Sequence, residues 1–220
     1  MKSRKILSGL IATTFALSLV ACGNSSRKTS TEDTNAKTLV INKNTKEIKM
    51  LCEVNGKYFT ESTRHGIVFK DGSNGEKSVL RGLADEKNFY DALIELGAKA
   101  GNNLTAEDMK AKKDNGKSVE GDKLEAVVTW EGQEKEIPFE DIIKASEERP
   151  MDLRFGGNIE SAKKNNTGCV LCLDSCATGI TSDASYPTGT TQNNVVKFYG
   201  DEEVLPEDGT VVTVTFRTIK

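Results

Sequence analysis

The stretch "TLVINKNTKEIKMLCEV", residues 38–54, sets the architecture to be expected of this chain. Two apolar halves flank a polar turn at Lys43–Lys46, and Ile48, Met50, Cys52 and Val54 recur at every second position. A side-chain period of two belongs to a half-buried β-strand, whose successive residues point to opposite faces. The stretch is predicted to be a strand, a turn and a second strand, with Cys52 facing inward among the apolar set.

The same pattern recurs downstream. "RHGIVF" (64–69) and "SVLRGLA" (78–84) read as short strands around the loop "KDGSNGEK". "KLEAVVTWE" and "EKEIPF" flank Gly132-Gln133 as a β-hairpin, and "EDIIKASEE" (140–148) reads as a short helix after it. In "PEDGTVVTVTFRTI" (206–219), Val212, Val214 and Phe216 alternate with Thr213, Thr215 and Arg217 in a long strand. The clearest helix lies at 85–97: Asp85 is a suitable N-cap, Phe89, Ala92, Leu93 and Leu96 form one apolar stripe, and Gly97 suits a left-handed C-terminal position. Thr105 can cap a short helical turn over 106–110. Strands outnumber helices and do not alternate with them, which argues against a doubly wound sheet. The expected class is α+β, mainly antiparallel β-sheet with one clear helix and short helical turns.

The N-terminus speaks to location. Lys2, Arg4 and Lys5 precede an uncharged run from Ile6 to Ala21, the layout of a secretory signal. That run is shorter than about 20 residues and broken by Ser8, Thr13, Thr14 and Ser18, which disfavours a membrane span. It ends in Leu19-Val20-Ala21-Cys22, which resembles the lipobox of bacterial lipoproteins. That resemblance implies cleavage of residues 1–21, lipidation of Cys22, and an extracytoplasmic protein anchored to the bacterial membrane. Residues 23–37 contain no large apolar side chain, so 22–37 reads as a lipidated, flexible tether. Residues 38–220 are then a single domain, long enough for a sizeable core. The net charge moves from −3 to −6 once the three basic residues of the signal are removed. No dense basic patch remains, so nucleic acid is not an expected partner.

The chemistry-bearing segment is "GCVLCLDSCATG" (168–179), with Cys169, Cys172 and Cys176. With Cys52 it supplies four thiols once Cys22 is lipidated, and these are the metal or disulfide candidates. An even number in an exported chain suits two disulfides, in any of three pairings. Four thiolates also suit an iron–sulfur cluster, although the C-x₂-C-x₃-C spacing lacks one cysteine of a ferredoxin run and has Ala177 at the proline position. Zinc would accept the same ligands without the usual paired C-x₂-C knuckles. Covalent haem is disfavoured, because Leu173 and not His follows C-x₂-C. As a dithiol, Cys169 and Cys172 lie three apart on an expected strand and so face opposite sides, whereas a turn at Asp174-Ser175 would bring Cys172 to Cys176.

Other segments read as structural. His65, the single histidine, reads as a strand-entry residue, and no catalytic residue is assigned. "RFGGN" (154–158) reads as a turn. "SDASYPT" (182–188) loosely resembles the segment that carries covalent flavin in exported flavoproteins, which would place the acceptor at Ser185, though Asp183 and Ser185 depart from that pattern.

Across 47–110 and 150–220 the chain resembles the YdjY-domain family of bacterial exported proteins. The similarity is carried by "EIKMLCEVNGKYF", "TRHG", "SVLRGLADEKNFYDALIELGAKAG", "DLRFGGN", "GCVLCLDSCATGITSDASY" and "LPEDGTVVTVTFR". Some members carry ferredoxin-like names on the strength of their cysteines, so the resemblance implies an exported redox or metal-associated protein. The function to expect is a membrane-anchored lipoprotein with a redox or electron-transfer thiol cluster and an extracytoplasmic redox partner. The alternative is a disulfide-stapled binding or scaffold lipoprotein.

Overall fold

The computed structural model describes residues 38–113 and 115–219. The signal segment, Cys22 and the tether up to residue 37 lie outside the described residues. Among those described, no helix is long and apolar enough to cross a membrane.

The opening stretch folds as expected into β1 (Leu39–Asn42) and β2 (Glu47–Val54), paired antiparallel with Leu39 opposite Met50. The C-terminal strand β12 (Val211–Thr218) lies along the other edge of β2 and also pairs with β5 (Leu124–Trp130). Register brings like residues together: Ile48, Met50 and Cys52 oppose Phe216, Val214 and Val212, which in turn oppose Ala126, Val128 and Trp130. Every residue of that grid except half-buried Trp130 is buried, so the inward half of each alternating pattern finds its complement on the neighbouring strand. Each such side chain contributes roughly 1.5–3 kcal/mol by leaving water.

The sheet continues through β4 (Ser78–Gly82), β3 (His65–Phe69), β9 (Cys169–Cys172), β10 (Thr181–Asp183) and β8 (Leu153–Phe155), with β6 (Gln133–Pro138) outside β5. The order is β6-β5-β12-β2-β4-β3-β9-β10-β8, and β1 shares an edge of β2 with β4. Most pairings are antiparallel; β3 with β4 and β9 with β10 are parallel. A small second sheet pairs β7 (Ile143–Ala145) with β11 (Phe198–Gly200). The molecule is a sheet-rich α+β fold.

Helix α1 (Glu86–Glu95) has the expected caps. Asp85 accepts a hydrogen bond from the Lys87 amide at 2.7 Å, and Gly97 adopts φ +84°. Phe89 meets Phe216 with ring centroids 4.6 Å apart, which seats the helix on the β12 grid. A second helix, α2 (Ile159–Asn165), follows the two glycines after β8. Its start is bent by Gly157 at φ +90° and Asn158 at φ 50°. The helix expected over 140–148 does not form. A 3-10 turn over Phe139–Ile142 leads directly into β7, because Ile143, Lys144 and Ala145 find a strand partner in β11. The short turn near 106–110 is a 3-10 helix over Asp108–Lys110. Its cap runs the other way from that expected: the Asp108 carboxylate accepts from the amide and hydroxyl of Thr105.

Two register shifts in the β3–β9 pair matter most for the site. His65 opposes Cys172, Ile67 opposes Leu171 and Val68 opposes Cys169, so Gly66 is the extra residue on one strand and Val170 on the other. Gly66 is required there. A Cβ at residue 66 would lie 2.6 Å from Leu171 Cδ2 and 3.2 Å from both Leu173 and Phe139. Gly66→Ala should therefore overpack the bulge and cost about 1–3 kcal/mol, measured as a lower midpoint in urea unfolding. A variant as stable as the parent would contradict this reading of the bulge.

Candidate thiol centre

The bulges decide where the cysteines point. In an unbroken strand Cys169 and Cys172 would face opposite sides. With Val170 as the extra residue, Val170 and Leu171 both enter the main core, while Cys169 and Cys172 gather with Val68 and Cys176 in a separate buried cluster. The expected opposition of Cys169 and Cys172 is thereby corrected: their sulfurs lie within 4.8 Å of one another. The chain after Asp174-Ser175 brings Cys176 into the same buried cluster.

Cys52 is not among them. It lies in the main core, fully buried and paired across β12 with Val212 and across β4 with Gly82. Strands β4 and β3 stand between β2 and β9, three inter-strand spacings or about 14 Å. A disulfide needs Cα atoms within about 7 Å. The notion that Cys52 is the necessary fourth thiol is therefore corrected by sheet order. Among the described residues all four cysteines are free.

His65 takes that place. Its Nδ1 lies 3.7 Å from Cys169 Sγ, and the donor atoms of His65, Cys169 and Cys172 all lie within 4.8 Å of one another. Three sulfurs and one imidazole nitrogen make a soft donor set that suits thiophilic metal ions. Cys169 and Cys172 are fully buried and Cys176 is 3 % exposed, so the sulfurs are closed to bulk solvent, whereas His65 is half-buried.

The family can now be assigned. The family model described as "YdjY domain" matches residues 39–217, nearly the whole span of the described residues. This chain belongs to the YdjY-domain family. It is also similar to a protein of Escherichia coli (strain K12) that bears the name "Uncharacterized protein YdjY", at 44 % identity over 184 residues, covering 83 % of this chain and 80 % of that relative. No solved structure matches the chain.

Around the YdjY-domain thiols stand polar side chains from separate elements. Arg64 donates twice to Asp174 Oδ1, at 3.1 and 2.6 Å, and Asp174 Oδ2 accepts from the Thr191 hydroxyl. Arg64 is nearly buried and the Asp174 side chain wholly so. The Arg64 pKa is raised, because the charges of Asp174, Cys176 and Cys172 outweigh the opposing effect of burial. The loop that carries Cys176 is clamped from α2's entry. Buried Asn158 donates to the carbonyls of Cys176 and Gly179 at 3.0 and 2.9 Å. Met109 Sδ accepts from the Ala177 amide.

The sulfurs differ in charge. The hydrogen bond from Cys172 holds Cys169 well below the usual thiol range against burial, and His65 adds a second bond. Cys176 is lowered to about 6 by its bond from Cys172, again against burial, and by the charge of Arg64. Cys172, which donates to both neighbours and is buried, is raised far above that range. Cys52 is raised by burial. Ser185, the flavin-acceptor position, gives its hydroxyl to Asp183 Oδ1, which also accepts the Ser185 amide in a tight local turn.

Sequence reasoning missed Arg64, Asp174, Asn158 and His65 as neighbours of the thiols. Nothing in the spacing of the "TRHG" segment ties it to residues 169–176.

Two outcomes follow from this geometry. Asn158→Ala removes both donors of the loop clamp and leaves two carbonyls unpaired; it should cost about 1–3 kcal/mol and speed the alkylation of Cys176, read by mass spectrometry. The thiolates also set a pH dependence. A folded pKa lowered to about 6 at Cys176 contributes stability that is complete above the unfolded thiol value of about 8.5 and is lost as pH falls through about 6. Thiolate absorbance at 240 nm should therefore drop between pH 7.5 and 5. In Cys172→Ala the same step should move upward, and an unmoved step would remove Cys172 from its donor role.

Proposed function

We propose that this YdjY-domain protein is an extracytoplasmic redox carrier, tethered to the bacterial membrane through lipidated Cys22, with its working centre at Cys169, Cys172 and Cys176. The observation that carries this reading is the convergence of three thiols in one buried cluster, made by a paired bulge between β3 and β9. A cluster of free thiols that cannot reach the fourth cysteine is poorly suited to two structural staples. Its burial suits a carrier that keeps its sulfurs from bulk solvent, since thiol–disulfide exchange with a partner requires an accessible thiolate. Arg64, beside Cys172 and Cys176, offsets negative charge at the centre. The lipid and the polar tether would hold the domain near the membrane surface, within reach of a redox partner there.

A second reading, a binding lipoprotein, is favoured by one cavity of about 480 Å³ between the small sheet and the main one. Its wall includes Leu173, Tyr186, Phe198, Arg149 and Asp201. Its size suits a small molecule. It is compatible with the redox reading, because Leu173 links its floor to the thiol segment.

Two measurements test the proposal on the full chain purified anaerobically in mild detergent. A mediated redox titration should give one reversible couple that disappears in Cys172→Ala. Metabolic labelling with an alkynyl fatty acid should mark the parent and not Cys22→Ala. Two intramolecular disulfides including Cys52, with no reversible couple, would sink the redox reading in favour of a stapled scaffold.

A further inference from the structure

We infer that the centre is a site for one tetrahedral thiophilic metal ion, with His65 as the fourth ligand beside Cys169, Cys172 and Cys176. The inference rests on the redox-centre reading only for its location, and it stands or falls by separate evidence.

The first support is spacing. Bonds of about 2.3 Å to sulfur and 2.0–2.1 Å to imidazole nitrogen give a tetrahedron with edges of about 3.6–3.8 Å. His65 Nδ1 and Cys169 Sγ already stand 3.7 Å apart, and Cys172 Sγ lies within 4.8 Å of both. Cys176 shares the buried cluster of Cys169 and Cys172 but stands outside the group of donor atoms that lie within 4.8 Å of one another, so its loop must close on the ion for it to ligate. Such compact donors fit a single ion. A cluster of several irons places bridging sulfides among its ligands and needs them further apart.

The second support comes from the opposite side of Cys172. Ser182 stands directly across the parallel β9–β10 ladder from Cys172. Its hydroxyl is fully buried and has no hydrogen-bond partner among the described residues. The two are separated by Gly179, where a Cβ would lie 2.8 Å from Cys172 Sγ and 3.1 Å from Ser182 Oγ. A glycine thus keeps open the space between a sulfur and an unused hydroxyl. On metal binding the Cys172 thiol proton would leave to solvent, and the unpartnered Ser182 hydroxyl would gain a thiolate acceptor across the space Gly179 leaves.

The other sulfurs have matching donors. Thr178 Oγ1 lies 3.2 Å from Cys176 Sγ, and Asn74 Nδ2 lies 3.9 Å from Cys169 Sγ. Each thiolate of the loaded site would then have its own polar side chain, from three different segments. Donors to ligating sulfur orient the ligands and tune the metal. A divalent ion with three thiolates carries one net negative charge, and Arg64 is the neighbouring cation.

The test uses cobalt(II) as a spectroscopic probe on the full apo chain, purified anaerobically in mild detergent. One equivalent should bind, giving thiolate-to-cobalt charge transfer in the near ultraviolet and the intense visible bands of a tetrahedral ion. His65→Ala should lose the tetrahedral bands and at least tenfold in affinity. His65→Cys should restore tetrahedral binding with a shifted spectrum, which separates ligation from folding. Ser182→Ala should keep the stoichiometry, shift the charge-transfer band and weaken binding, and Cys52→Val should change nothing. Unchanged cobalt spectra in His65→Ala would overturn the assignment of His65 and leave the thiol-centre reading intact. Failure of cobalt, zinc and iron(II) to bind at all would overturn the metal site, while a reversible thiol couple would still uphold the redox reading. Zinc found in the isolated protein with no redox couple would uphold the site and overturn the carrier.

Discussion

The structure turns on one local defect, the pair of extra residues Gly66 and Val170 where β3 meets β9. A regular ladder would send alternate residues of β9 to opposite faces and part the cysteines. The bulges reset that alternation, so two neighbouring apolar residues fill the core and both flanking cysteines turn the other way together. His65 and Val68 undergo the same reversal on the facing strand. The thiol cluster is thus a product of backbone irregularity, and the close contact of Gly66 with Leu171 is its steric condition.

The rest of the sheet supplies a rigid frame around that defect. The β2–β12–β5 grid buries matched apolar residues and seats α1 through Phe89 and Phe216. Asn158, in a left-handed conformation before α2, reaches across to fix the loop behind Cys176. The buried Arg64–Asp174 pair locks the segment before His65 to the segment after Cys172. Removing either partner would leave a buried charge unpaired, the costly case for such a pair. The site is therefore held from three directions by contacts outside the sulfurs themselves.

How far the sequence exposes this depends on the range of the interaction. Alternation along β2 and β12, the Asp85 cap and the Gly97 stop are local signals, and each is legible in the residues that carry it. The turn at Asp174-Ser175 was legible for the same reason. Strand β7 was hidden because its partner β11 lies more than fifty residues away. Cys52 seemed a partner for the cluster because spacing says nothing of the two strands that come to lie between β2 and β9. His65 lay unrecognised for the converse reason: two segments a hundred residues apart in sequence become neighbours only through sheet order.

That order also gives the last strand an unusual burden. β12 is the last described strand in chain order, yet it sits between β2 and β5 and joins the first hairpin to the middle of the domain. Until β12 docks, β2 and β5 have no common neighbour and the helix face that meets Phe216 has nothing to rest on. Assembly is dominated by contacts distant in sequence, which makes it slow. Before that docking the three closely spaced thiols are open to oxidation by whatever surrounds them. The interval before β12 arrives is thus the one in which the chemistry of the centre is won or lost.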